Sequence, residues 1–420
     1  MIDAAFKERI DRVNEATSWS SILPEATERG TITCPFCLRK SKAYLYDSFF
    51  KCFSSKCGIA GDKINIYTKL NNIKYMEALV TLETQSCLDP ASQAEEYTKR
   101  NSILLDVQGA YHNELFKHPE VYQYLEQRGF QKPFIDMMQI GYASHEHILS
   151  TYEHINKNTL IRHGLSNIKN EFFRNRIIFP IFDKYNYLVH LTGRKFPDDG
   201  FDDFKYLDSR AVPVIGSCKN YLIFENEIDN YLKTTDTIYL VEGVPDSFIL
   251  KQEGFAVVGL MGLQKILHQA SKLKKFKKVI AMFDNDRFES NHPLHPMELK
   301  SWRIVTNQLI DLQLYYGKEV DIEVFMVPEH KTFKGGYAKD INDLFLLVGK
   351  DRDYLEELIH KNKKHLIEDF ILTHRGDISN HKTILKLIGA TGKFKRMMQE
   401  YIPKDYSDNP LEYAIKVLSL

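Results

Sequence analysis

Apolar positions follow two regimes along the chain. From Thr237 onward, runs that are apolar almost throughout (Thr237–Gly243, Phe255–Leu260, Lys278–Asp284, Val320–Val327) alternate with amphipathic stretches near Pro245–Glu253, Leu263–Lys275 and Glu298–Tyr316. Short runs without polar alternation suit strands buried on both faces, so the interleaved helices predict a parallel sheet covered on both sides. Upstream, Val121–Gly129 and Pro133–Ile140 have helical periodicity, while Arg176–Phe182 and Tyr187–Gly193 predict two strands around a turn. Lys63–Leu82 reads as two amphipathic helices and the aromatic-rich Ala43–Phe53 as a β-hairpin. Residues 83–102 are polar and contain Pro90, the pattern of a linker that continues into a helix. After Gly349 the pattern is helical to the end, with Lys361, Lys363 and Lys364 in a basic cluster, and no internal repeat is found.

Composition narrows the class. At 420 residues the chain calls for two to four domains. An apolar fraction of 43% with 27% charged residues describes a globular protein rather than a disordered one. Lys plus Arg equals Asp plus Glu at 56 each, so net charge says nothing about a nucleic-acid partner; a neutral total can hide a basic groove beside an acidic site. The N-terminal residues are charged every few positions, unlike a signal peptide, and no apolar run approaches the roughly 20 residues of a membrane span.

Six cysteines are too few for a disulfide scaffold, and four of them lie close together. Cys34-Pro-Phe-Cys37 is followed by Cys52 and Cys57, while Cys87 and Cys218 stand alone. Two knuckles joined by a hairpin can set four thiolates tetrahedrally around one zinc ion, a closed and therefore structural site in a reducing compartment. The alternative is four buried free thiols.

Three acidic motifs follow strands of the regular region: Glu242-Gly243 after TIYLV, Asp284-Asn285-Asp286 after KVIAMF, and Lys339-Asp340-Ile341-Asn342-Asp343 after VDIEVFMVP. Carboxyl ends of parallel strands share one edge, where open α/β sheets bind ligands. Carboxylates gathered there repel one another unless a cation is held, and Mg2+ prefers such oxygens together with substrate phosphates. The competing reading is an ordinary α/β domain with acidic loops.

The segment Cys52-Phe … Cys57-Gly … Gly61-Asp62 before paired helices resembles the zinc-binding domain of DnaG-type primases, and the order Glu-Gly, Asp-x-Asp, Lys-Asp resembles their TOPRIM domain. Between them, Tyr124-Leu-Glu-Gln-Arg128-Gly129 with Ile140-Gly141-Tyr142, the stretch Phe173–Ile181 (FRNRIIFPI), Thr192-Gly193-Arg194 and Lys205-Tyr-Leu-Asp-Ser209 resemble segments of the same family. The resemblance covers roughly residues 30–345. It departs where the family commonly has a histidine ligand and this chain has Cys37, as in phage four-cysteine versions.

The resemblance implies an α/β multidomain protein. Its parts would be a zinc-ribbon domain at 1–86, a linker at 87–101, an α+β N-terminal core subdomain at 102–218, a TOPRIM parallel sheet at 219–349 and a C-terminal helical subdomain at 350–420. The implied activity is synthesis of RNA primers from ribonucleoside triphosphates on a single-stranded DNA template. One structural zinc would sit on Cys34, Cys37, Cys52 and Cys57. One or two Mg2+ or Mn2+ ions would sit on Glu242, Asp284, Asp286 and Asp340, with Glu242 as ligand or as acid/base for the attacking 3′-hydroxyl. Asp246 and Asp343 are secondary candidates. Arg128, Arg194, Lys205 and Lys219 would line the template–primer groove, against the alternative of solvated surface charges. A replicative helicase is expected to act in trans, in a bacterial cytoplasm and with a phage gene as one source. A type IA topoisomerase would need a larger body. A helicase fusion would need a phosphate loop that Gly389-Ala-Thr-Gly392-Lys393-Phe394 does not supply. A non-catalytic zinc/TOPRIM nucleic-acid-binding module is the remaining alternative.

Overall fold

The computed structural model describes residues 10–366 except 12, 24–25, 27–28, 88–89, 146–148, 150–156, 167–170, 198–203, 213–214, 263–268, 270, 285–308, 310–311, 314–319 and 329–337. The chain forms two compact units: residues 1–126 with 131–226, and residues 127–130 with 227–420.

In the first unit a short helix α1 (Trp19–Ile22) precedes strands β1 (Gly30–Ile32), β2 (Ala43–Leu45), β3 (Phe49–Cys52) and β4 (Ala60–Asp62), then helices α2 (Lys63–Asn71) and α3 (Tyr75–Cys87). The four strands pair antiparallel in sequence order, with β2 and β3 forming the expected hairpin. Period-two alternation along β3 buries Phe50 and Cys52 and exposes Phe49 and Lys51. The buried side joins Trp19, Leu45, Ile64, Ile66, Leu79 and Leu82 in a small core. The Asp62 side chain accepts the Asn65 N–H at 2.7 Å and so starts α2 as its N-cap.

Helix α4 (Pro90–Leu115) follows, so the segment expected to be a polar tether is helical from Pro90. Proline suits a first helical turn, where its missing N–H costs nothing, and Leu104, Val107 and Tyr111 recur at helical spacing on a buried face. Arg100, 1% exposed, fixes the N-terminal half: its Nε donates to the Val189 carbonyl (3.0 Å) and its Nη1 to the His163 carbonyl (2.6 Å). Helices α5 (Pro119–Gln127) and α6 (Lys132–Met137) and strand β5 (Gly141–Ala143) come next. Helix α7 (Lys157–Arg162) then leads to β6 (Arg176–Phe182), β7 (Leu188–Lys195) and β8 (Tyr206–Asp208), an antiparallel sheet in sequence order. Gly141 lets β5 lie against α4, because a Cβ there would stand 2.6 Å from the Tyr111 carbonyl carbon.

The second unit holds helix α8 (Ile228–Tyr231), β9 (Thr237–Val241), helix α9 (Val244–Gln252), β10 (Val257–Gly259), β11 (Lys278–Phe283), β12 (Asp321–Met326), helices α10 (Ile341–Leu347) and α11 (Arg352–Asn362), and β13 (Lys364–His365). Its sheet runs β10-β9-β11-β12-β13, parallel except for the last pair. The chain leaves β9 for β10 on one side and later adds β11 and β12 on the other, so the strand order reverses between β9 and β11. The helix expected at Leu263–Lys275 is described only at its end, as a 3-10 turn over Ser271–Lys275. Most of the helix expected near Glu298–Tyr316, and the tail from residue 367, lie outside the described residues.

Candidate active site and metal centre

The four clustered cysteines are brought together by backbone geometry. Leu38 and Gly58, each following the second cysteine of a knuckle, take left-handed φ values of 54° and 59°. The Leu38 N–H donates to the Cys34 carbonyl (2.8 Å) and the Gly58 N–H to the Ser54 carbonyl (2.9 Å), closing both turns. The Arg39 Nη1 donates to the Ser54 hydroxyl at 2.5 Å and ties the knuckles together. All four Sγ atoms lie within 4.8 Å of one another, with 3.8 Å separations for Cys34–Cys57 and Cys37–Cys52. Tetrahedral zinc–sulfur bonds of about 2.3 Å put sulfurs about 3.8 Å apart, so this donor set fits zinc. None of the four is in a disulfide. Burial pushes the Cys34 thiol far up and the Cys57 thiol up to about 11, as expected for packed thiols whose ionisation requires a cation.

In the second unit the acidic motifs converge at the carboxyl end of the sheet. Val241 lies beside Met282 across β9 and β11, so Glu242 and Asp284 leave adjacent parallel strands at nearly the same level. Both are partly exposed. They stand where the strand order reverses, the usual place for a ligand in an open α/β sheet. Gly243 caps α9 and Asp246 falls in its first turn. A Cβ on Gly243 would lie 2.5 Å from Asp246 Oδ2, so this glycine makes room for the carboxylate. Asp246 is 5% exposed and its Oδ1 accepts the Asn342 N–H at 2.9 Å. Burial first, then the charges of Asp340 and Asp284, hold its carboxyl well above the usual carboxylate range. Burial and the neighbouring Asp343 likewise raise Asp340. Carboxyls that suppress one another's ionisation in this way fit a divalent cation.

Asp340 also begins α10: its Oδ1 accepts the Asp343 N–H at 2.7 Å. Its Oδ2 lies 3.8 Å from Arg128 Nη2, while Arg128 Nη1 donates to Asp343 Oδ1 at 3.1 Å. Arg128 therefore belongs to the acidic site, and its backbone is fixed there by the Asn342 Nδ2, which donates to the Arg128 carbonyl at 2.7 Å. Asp286 lies outside the described residues.

The other expected cations are in the first unit. Arg194 stands opposite Tyr206 across β7 and β8, its Nη1 donating to the Tyr206 hydroxyl at 3.1 Å and its guanidinium 5.9 Å from the Tyr124 ring. Lys205 is exposed one residue before Tyr206, and Arg176, 4% exposed, binds the Lys205 and Phe204 carbonyls and so holds this segment on the sheet. Lys219 sits in a 3-10 turn at Cys218–Asn220. Sequence reasoning missed Arg100 and Asn342. Nothing local distinguishes a buried cation from a solvated one, and Asn342 stands between two acidic positions with no signal of its own.

Residues 110–224 match the N-terminal domain of the DNA primase catalytic core. The DNA primase of Legionella pneumophila is 26% identical over 92% of this chain and 71% of its own length. That of Clostridium acetobutylicum is 28% identical over 60% of this chain and 45% of its own. The chain thus spans about half the length of several curated relatives it matches. The crystal structure of the zinc-binding and RNA polymerase domains of the Aquifex aeolicus primase has a TM-score of 0.58 at 21% identity, covering 97% of this chain and 99% of that one. The DnaG catalytic domain solved with single-stranded DNA has a TM-score of 0.54 at 17% identity, covering 78% of this chain and 98% of that one. With a zinc-type cysteine cluster, a parallel sheet edged with carboxylates and a matched core domain between them in sequence, this chain is similar to the DnaG-type primases.

Proposed function

We propose that this protein is a DNA primase, joining ribonucleotides into short RNA primers on a single-stranded DNA template. The observation that carries this reading is the convergence of Glu242, Asp246, Asp284 and Asp340 where β9 and β11 end side by side. Glu242, Asp284, Asp286 and Asp340 would hold one or two divalent cations, Mg2+ or Mn2+. When bound, such ions stabilise the charge on the attacking 3′-oxygen and on the pyrophosphate leaving group. The protein's own part is to fix Asp340 and the neighbouring Asp246: Gly243 admits Asp246, the Asn342 N–H orients it, and the α10 cap orients Asp340. Glu242 would act as a ligand or as acceptor of the hydroxyl proton. Arg128, Arg194, Lys205 and Lys219 supply contacts to nucleic-acid phosphates.

The sheet β1–β4, stabilised by zinc on its four cysteines, turns Tyr46, Phe49, Lys51 and Phe53 outward, aromatic faces and a cation suited to unpaired bases. This domain is assigned the choice of start site, and the core bond formation. A replicative helicase is the expected partner in trans, in a bacterial cytoplasm whether the gene is the host's or a phage's.

Nucleotide incorporation on single-stranded template tests the reading. Wild type should make primers. Asp284→Asn should abolish synthesis while template binding is kept or improved, since one negative charge near the strand is gone. Template binding by wild type with no incorporation under Mg2+ or Mn2+ would favour a non-catalytic nucleic-acid module.

A further inference from the structure

Arg128 is held differently at its two ends. Its backbone is clamped: the Arg128 carbonyl accepts from Asn342 Nδ2 at 2.7 Å, and the next carbonyl, Gly129, accepts from Gln252 Nε2 at 3.1 Å. Gly129 has φ +94°, and a Cβ there would press on Ile249, Phe345 and Leu346 at 3.5 Å, so this turn is packed against α9 and α10. The guanidinium is less committed. Among the described residues, one of its five N–H donors makes a normal hydrogen bond, Nη1 to Asp343 Oδ1 at 3.1 Å. Nη2 stands 3.8 Å from Asp340 Oδ2, and the buried Nε has no partner among the described residues. The side chain keeps 20% exposure.

Of the two carboxylates it faces, Asp340 is assigned to cation binding and Asp343 is not. Asp340 Oδ1 already accepts the α10 cap bond, so Oδ2, the oxygen nearest Arg128, is the less committed of the two toward a cation. A divalent cation on Oδ2 and a guanidinium beside it would repel each other, so the two compete for one oxygen. We propose that Arg128 couples cation binding to template binding: it serves as counter-charge to Asp340 and Asp343, and a cation arriving at Asp340 displaces the guanidinium toward a nucleic-acid phosphate. The anchored backbone lets this exchange occur by rotation of the side chain alone, and a planar guanidinium can grip a phosphate bidentately. The inference rests on the cation site proposed above. Coupling of this kind is reciprocal, so template must tighten the cation by the factor with which the cation tightens template.

The test uses the 420-residue chain, Mn2+ followed by its paramagnetic resonance signal, and a single-stranded oligonucleotide without nucleotides. In wild type, Mn2+ should raise oligonucleotide affinity about tenfold or more, within the usual range of such couplings. Arg128→Gln should bind Mn2+ more tightly than wild type with no DNA present, bind oligonucleotide more weakly, and lose most of the Mn2+ enhancement. Arg128→Lys should restore the wild-type Mn2+ affinity, because the competing charge is back, but not the bidentate template grip. Arg194→Gln, a variant of the other unit, should weaken the oligonucleotide without altering Mn2+ affinity in its absence. Folding damage alone would weaken Mn2+ in Arg128→Gln and would overturn the proposal, as would an unchanged Mn2+ affinity with undiminished enhancement. If wild type shows no Mn2+ site sensitive to Asp284→Asn, the cation reading itself fails and this inference falls with it.

Discussion

At the scale of single residues the first unit carries an unusual arrangement: two neutral histidines around a buried cation. Among the described residues Arg100 hydrogen-bonds to no carboxylate and its Nη2 has no partner, and burial pushes its guanidinium down to about 10, so it stays charged at neutral pH. Burial, reinforced by that charge, pushes His163 down to about 4 and His190 well below the usual histidine value. The unfolded chain therefore takes up protons near pH 6.5 that the folded chain refuses. Stability is fully present above about 6.5 and falls as pH drops from there toward about 4. At the lower limit His163 alone accounts for roughly 3 kcal/mol, since each tenfold loss of proton affinity on folding corresponds to about 1.4 kcal/mol. His163→Gln should flatten this acid limb, seen as a smaller loss of denaturation midpoint between about pH 7 and about pH 4.5 than in wild type. An acid limb as steep as that of wild type would assign the sensitivity to other groups.

At the scale of elements, the zinc-type module and the parallel sheet use opposite logic. Strands β9 and β11 are buried on both faces and present chemistry only at their carboxyl ends. Strand β3 is buried on one face only, and its other face, with Tyr46 and Phe53 beside it, exposes aromatic rings at 39% to 57%. Stacking of a base on such a ring contributes about 1–3 kcal/mol. Phe53→Ala should therefore weaken oligonucleotide binding by roughly fivefold to a hundredfold on this scale. The side chain is 57% exposed, so little change in stability is expected. A stability loss with unaltered binding would make the ring a packing residue.

At the scale of the whole molecule, the two kinds of core should fail independently. Structural zinc in small modules contributes about 10–16 kcal/mol to folding at neutral pH, and the core around β1–β4 is small. Cys34→Ser should lose zinc by elemental analysis and unfold this sheet. The parallel sheet of residues 227–420 has its own buried strands and should melt as in wild type. Initiation should then fall sharply while extension of a preformed primer persists. Equal loss of both activities would mean that the zinc module supports the core rather than start-site choice. Because α4 runs unbroken from Pro90 into the core, any separation of the module must arise before that helix or by its unwinding.

Much of this is legible along the chain because its causes are local. Uniform apolar runs mark β9, β11 and β12, glycine and acidic residues after them mark the sheet edge, and a four-cysteine spacing marks the metal cluster. The helix from Pro90 is also legible in principle: Ala, Gln, Glu, Lys and Arg in residues 91–100 are good helix formers, although their polarity alone suggests a tether. Other features needed the tertiary structure, since they depend on what lies opposite. Arg100 differs from a surface arginine only through the Val189 and His163 carbonyls, 89 and 63 residues away. Arg128 reads in the sequence as a groove cation, but a turn 215 residues further on sets Asp340 and Asp343 against it. Periodicity determines which face of an element is buried. Only the packed chain determines which charges become neighbours, because Coulomb energy depends on distance in space and on the water excluded between them.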